Sequence, residues 1–118
     1  MASFLLIESR DPFESADVGF IHDQAKRLTA AGHHVSLFLV QNGVLPARAG
    51  VTTQDFAELR QAGVEILADE FSLRERGIPD DRVYSGVQPC GLGVVVDRLA
   101  EGAKVIWHQE TTWPREGC

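Results

Sequence analysis

The sequence predicts a single α/β domain built on a five-stranded, mostly parallel sheet with helices on both faces. Three observations predict it. Apolar runs and helical patterns alternate along the chain in the order β-α-β-α-β-α-β-α-β, which is how a parallel sheet with right-handed crossovers is written. The first run, Phe4 to Ile7, is unbroken rather than alternating, as in a strand covered on both sides. Glycine closes each helical stretch, at Gly32, Gly63, Gly77 and Gly102, and Gly is the usual residue just past a helix.

The elements follow in order. Phe4 to Ile7 forms the first strand, and Arg10 to Glu14 is a loop broken by Pro12. Ser15 or Asp17 caps a helix reaching about Ala31. Its Val18, Ile21, Ala25 and Leu28 recur at three- and four-residue steps and give one buried face. Val35 to Val40 is the second strand, and Gln41-Asn-Gly43 turns the chain. Leu45 to Gly50, with its Pro and Gly, is a loop or short irregular helix. Thr52 or Thr53 caps a helix over Gln54 to Gln61. Val64 to Ala68 is the third strand, followed by an acidic pair, Asp69 and Glu70, and a short helix from Ser72 to Arg76. Pro79-Asp-Asp81 turns, and Val83 to Ser85 reads as a short fourth strand. Pro89 opens a helix reaching Glu101, since Pro is tolerated in a first turn. Lys104 to His108 is the last strand, and residues 109–118 read as a loose tail beyond the single domain of residues 1–108.

Bulk properties narrow the function. At 118 residues, 44% apolar and 24% charged, the chain holds a core without staples. A net charge of −6 argues against nucleic acid and against docking on anionic lipid, which need clustered Lys and Arg. No apolar run approaches the roughly 18–20 residues that span a bilayer. The first residues are apolar but brief, lack a basic flank and reach Glu8 too soon for a signal peptide. Two Cys with no Cys-x-x-Cys encode neither a disulfide scaffold nor a zinc site, and a reducing cytoplasm is the expected home.

Three blocks carry a family resemblance over about residues 3 to 108. They are Ala31 to Val44, Gly63 to Ile78, and Cys90 to Trp107 with its Cys-Gly-Leu-Gly opening. In this order and spacing they resemble the DsrE family of small sulfur-relay proteins, which includes the TusD subunits. The resemblance implies a small flavodoxin-like three-layer fold, homo- or hetero-oligomerisation, and traffic in persulfide sulfur between protein cysteines. In that family a Cys commonly follows the third strand; here that position reads Asp69. The resemblance therefore implies a relay component or partner-binding subunit without the usual sulfur-carrying residue.

Cys90 is the first candidate site, as a displaced sulfur acceptor. Near a helix start, unpaired N–H groups favour the thiolate that attacks a persulfide. Cys90 and Asp69 then share one rim, because strand carboxyl ends and helix N-termini lie on one edge of a parallel sheet. The plainer reading is a small apolar residue packed in a helix start, with Asp69 opposing thiolate formation. Asp69 and Glu70 are a cation-binding or basic pair, or simply a polar cap on the helix after them. Arg74 and Arg76 hold an anion or a partner's carboxylates, or pair locally with Glu70 and Glu75. Gly91 and Gly93 form no dinucleotide fingerprint, since Val96 occupies the third Gly position; they let a helix start lie close to a neighbouring strand or subunit. His22, His33, His34 and His108 offer no third ligand to an acidic pair, so neither metal nor cofactor is expected. Cys118 is a terminal thiol on an arm, or a dispensable end. Trp107 and Trp113 mark a subunit contact, or Trp107 lies in the core. The other class of function is a small-molecule-binding or enzymatic domain using the Asp69/Glu70/Arg74 rim.

Overall fold

The structure, a computed structural model, describes residues 2–12, 18–51 and 54–108. Five strands form one sheet: β1 (Ser3–Glu8), β2 (His34–Leu39), β3 (Glu65–Asp69), β4 (Val87–Cys90) and β5 (Lys104–His108). Their spatial order is β4-β3-β2-β1-β5 and every pairing is parallel. The helices are α1 (Val18–Ala30), α2 (Gln54–Ala62), α3 (Glu70–Glu75) and α4 (Gly93–Ala100). The fold class read from the alternation is the one found, and the sheet is wholly parallel.

The two faces are unequal. On one, Leu6, Val35, Leu37, Ile66, Ala68 and Val87 of the sheet pack against Val18, Ile21 and Ala25 of α1 and Phe56 and Leu59 of α2. On the other, Leu5, Ile7, Phe38 and Leu67 form a smaller buried cluster with Val40, packed against half-buried Val94 and Val95 of α4 and Val105. One eight-residue helix covers this second face where two longer helices cover the first. The alternation of strand side chains supplies both cores from the same strands.

Each helix ends in the same way. In α3, Gly77 takes a φ of +68°, and Ile78 N–H reaches back to the Leu73 carbonyl at 2.9 Å. Gly32, Gly63 and Gly102 close the other three helices with the same backward bond from the following residue. A side chain at the left-handed position would be strained, so the sequence must spend glycine there.

Several boundaries differ from the sequence reading. The fourth strand is Val87–Cys90, not Val83 to Ser85; Val83 makes only an isolated antiparallel bridge to Arg48. Pro89 therefore lies in a strand and does not open a helix. Strand β4 is an edge strand, where the missing N–H of proline costs no ladder bond. Helix α4 starts at Gly93 and stops at Ala100. The Gln41 turn extends into a 3-10 helix, Gln41–Ala47, and α3 starts at Glu70 rather than Ser72. The proposed caps at Ser15, Asp17, Thr52 and Thr53, and Trp113 and Cys118, lie outside the described residues.

Candidate functional site

The carboxyl edge of the sheet carries most of the buried polar groups. Glu8, Ser9, Asp11 and Asp69, with Ser72 just beyond, are all at most 6% exposed. They stand at or just past the ends of β1 and β3, where open parallel sheets bind ligands.

Asp69 ends β3 and caps α3. Its Oδ2 accepts from the Ser72 backbone N–H at 3.0 Å and from the Ser72 hydroxyl at 2.6 Å. Ser72 Oγ in turn accepts from the Gln41 N–H at 2.8 Å. Gln41 holds a φ of +52°, the only left-handed non-glycine conformation among the described residues. Such backbone strain persists where surrounding bonds fix it. The next turn carries Gly43, whose added Cβ would run into the Glu8 carbonyl oxygen. That oxygen also accepts from Val40 N–H at 3.0 Å, so the ends of β1, β2 and β3 are tied through backbone and Ser72. The spacing Asp69-x-x-Ser72 is a capping signal visible in the sequence; the Gln41–Ser72 bond and the close approach of Gly43 to Glu8 each join residues more than thirty apart and are not.

Between this edge and α4 lies a groove of about 810 Å³. Asp69, Ser72, Gln41, Asn42, Arg10 and Arg76 supply its polar side. Phe38, Val40, Val95, Val96, Phe71 and Trp107 supply its apolar side. Arg76 is held by Asn42 Oδ1, which accepts from Nε at 3.1 Å, and by the Ser72 carbonyl at 3.2 Å. Of the sequence candidates, Asp69 and Arg76 line the groove; Glu70, Arg74, Cys90, Gly91 and Gly93 do not. Arg74 is exposed and Glu70 partly so. The local pairing of Arg76 with Glu75 gives way to Asn42 and the Ser72 carbonyl.

Cys90 stands beside Asp69, directly paired with it in register across β3 and β4. Both residues sit on one rim and on the α4 face. The environment is the reverse of an activated thiol's. Cys90 is the last residue of a strand rather than part of a helix start. Burial pushes its pKa up to about 11, and the charges of Glu70, Asp69 and Glu65 add to that, against a smaller opposing effect of Arg98. The expectation of a helix-stabilised thiolate fails because α4 begins three residues later. Gly91 and Gly93 have open space where a Cβ would stand, so no close approach within the chain requires them.

A second polar cluster anchors α4. Arg98 donates to Ser36 Oγ at 2.6 Å and to Glu65 Oε1 at 2.9 Å, while Ser36 donates to the same Glu65 oxygen at 2.7 Å. Burial alone would raise the Glu65 pKa; the hydrogen bonds from Ser36 and Arg98, with the Arg98 charge, bring it below the ordinary value. At the far edge, both Glu8 oxygens lie at 2.7 and 2.8 Å from His108 Nδ1, joining β1 to β5. Trp107 is not core: it is 58% exposed. Among the described residues no group of three or more His, Cys, Asp or Glu could hold a metal ion. No described helix is long and apolar enough to cross a membrane.

Solved structures share this architecture. A protein of unknown function from Methanobacterium thermoautotrophicum, MTH1491, superposes with a TM-score of 0.81 at 23% identity, over 92% of this chain and 100% of that one. The YchN protein of E. coli gives 0.79 at 19% identity, again over 92% and 100%. A conserved protein of unknown function from Bacteroides thetaiotaomicron, BT1422, gives 0.68 at 18% identity, over 88% and 93%. At these identities the likeness is one of fold. No curated protein matches the sequence. The model of the DsrE/DsrF-like family matches residues 2–108, nearly the whole chain and all five strands, and the protein belongs to that family.

Proposed function

We propose that the protein is a partner-binding subunit of a DsrE-type sulfur-relay assembly, working in a reducing cytoplasm, in which position 69 carries no sulfur. The observation that carries this reading is the uncovered apolar strip on the α4 side. Leu92, Val96, Leu99, Trp107 and Phe71 are each 54–66% exposed. An aromatic and aliphatic cluster of this kind marks an interaction surface. A second copy of the chain is its occupant. The thinly covered second face is what an isolated chain would leave unfinished. The carboxylate of Asp69 has no sulfur to attack with, so the contribution is shape rather than transfer.

Sedimentation velocity across about 1–100 μM protein tests the assembly. An oligomer that Val96→Glu or Trp107→Ser converts to monomer supports it. A monomer at every concentration, with no cysteine-bearing relay protein bound, rejects it. Cys90 as a displaced acceptor is the competing version within the same family. Polysulfide treatment followed by intact-mass measurement decides: an added sulfur that disappears in Cys90→Ser favours transfer, while no addition leaves the subunit reading standing.

A further inference from the structure

The two edges of the sheet are unlike. At one, β4 is short and carries Pro89, which has no N–H to offer a neighbouring strand. At the other, β5 pairs with β1 alone among the described residues. It has no proline, no bulge in its register, and a single Lys, at its start. Ile106 is 39% and Trp107 58% exposed. Neighbours in a strand point to opposite faces, so apolar side chains stand uncovered on both sides of this edge. Beyond Lys104, β5 has none of the devices that keep an edge strand from pairing.

The backbone of β5 shows which groups are open. The His108 carbonyl accepts from Ser9 N–H, so His108 faces β1. Successive residues of a strand turn their N–H and C=O to opposite sides. Those of Lys104 and Ile106 therefore also face β1, and those of Val105 and Trp107 face outward. A second β5 laid antiparallel and centred on Ile106 presents matching groups. Val105 then stands opposite Trp107 of the second copy, and the two exchange both backbone bonds. The side chains agree with this register. On the α4 side, Val105 and Trp107 make a branched–aromatic cross-strand pair, continuous with the exposed strip of Leu92, Val96 and Leu99. On the other side, Ile106 meets its own counterpart. Lys104 stands opposite His108, whose ring is joined to the buried Glu8 carboxylate.

We propose that β5 is a self-complementary docking edge on which two copies pair antiparallel about Ile106, joining their sheets into one. This rests on the assembly reading, whose second copy it places, and adds a backbone contact that the α4 strip does not supply. The pairing is isologous, so it closes at two copies along this edge and leaves a β4 strand at each outer end.

The test separates the edge from the strip. Ile106 lies on the face away from α4, so Ile106→Glu leaves Leu92, Val96 and Leu99 intact. In the full-length protein this change is expected to weaken association at least about tenfold in sedimentation velocity, because it sets like charges opposite each other. Two further measurements keep β5 apolar or unaltered. With Cys90→Ser and Cys118→Ser in place, Ile106→Cys is expected to form a self-disulfide under copper–phenanthroline, since facing positions bring Cβ atoms within about 4.5–5.5 Å. Leu99→Cys in the same background is expected not to. In the unmodified chain, raising the concentration is expected to slow amide exchange at Val105 and Trp107 at least about tenfold, and to leave Ile106, already bonded to β1, unchanged. An oligomer that Ile106→Glu does not weaken, with no self-disulfide at position 106 and no added protection at Val105 and Trp107, overturns this inference and leaves the assembly reading standing. A chain that is monomeric at every concentration overturns both.

Discussion

Cys90 shows how far a residue's chemistry depends on its exact surroundings. With a pKa of about 11, only about one thiol in ten thousand is ionised at pH 7. Alkylation by iodoacetamide at pH 8 is therefore expected to be slow. Glu70→Gln, which removes the largest opposing charge, should speed it several-fold. The same shift has a stability consequence. Unfolded chains lose the thiol proton near the ordinary value of about 8.5, whereas the folded chain holds it to about 11. Between those values the unfolded state binds fewer protons, so stability falls as pH rises. Urea midpoints at pH 8 and pH 10.5 should diverge for the natural chain more than for Cys90→Ala; parallel behaviour would count against the raised value. Gly43 is the second residue with a sharp consequence. A methyl group there meets the Glu8 carbonyl, so Gly43→Ala should cost about 1–3 kcal/mol, measurable by denaturant titration.

At the scale of elements, α3 and α4 are held by different means. Helix α3 has a true side-chain cap, Asp69 to Ser72. Asp69→Ala should cost about 1 kcal/mol, and Asp69→Asn only a few tenths. Helix α4 has no side-chain cap and no fully buried residue. Its attachment rests on Val94 and Val95 and on the Arg98–Glu65–Ser36 cluster. Glu65 and Arg98 are partly exposed, so their coupling should be about 0.5–1 kcal/mol in a double-mutant cycle of Glu65→Gln with Arg98→Met. Because the folded pKa of Glu65 is lowered, that coupling is present above the ordinary carboxylate value. It disappears as pH falls through the folded one. A coupling unchanged from pH 7 to pH 3 would show that charge is not what fixes α4. Strand β4 was legible as a strand only with the sheet in view. Val87-Gln-Pro-Cys90 contains a proline, and only its edge position makes that acceptable.

For the whole molecule, the unequal covering of the sheet is the governing feature. If a second copy seats on the α4 side, thermal stability should rise with protein concentration, and Val96→Glu should abolish that dependence without unfolding the dilute chain. A melting temperature independent of concentration would indicate that the strip stays open. The strand–helix alternation, the four glycine stops and the buried faces of α1 and β1 were set by the sequence alone. They depend on local periodicity and on backbone freedom at single residues. The carboxyl-edge location of Asp69 and Cys90 followed too, because chain direction in a parallel sheet leaves one edge for all strand ends. Tertiary structure decided the rest. It made Cys90 a strand terminus among acids, tied Gln41 to Ser72 and brought Gly43 against Glu8. Those outcomes hinge on desolvation and on contacts between residues far apart in the chain, and periodicity carries no record of either.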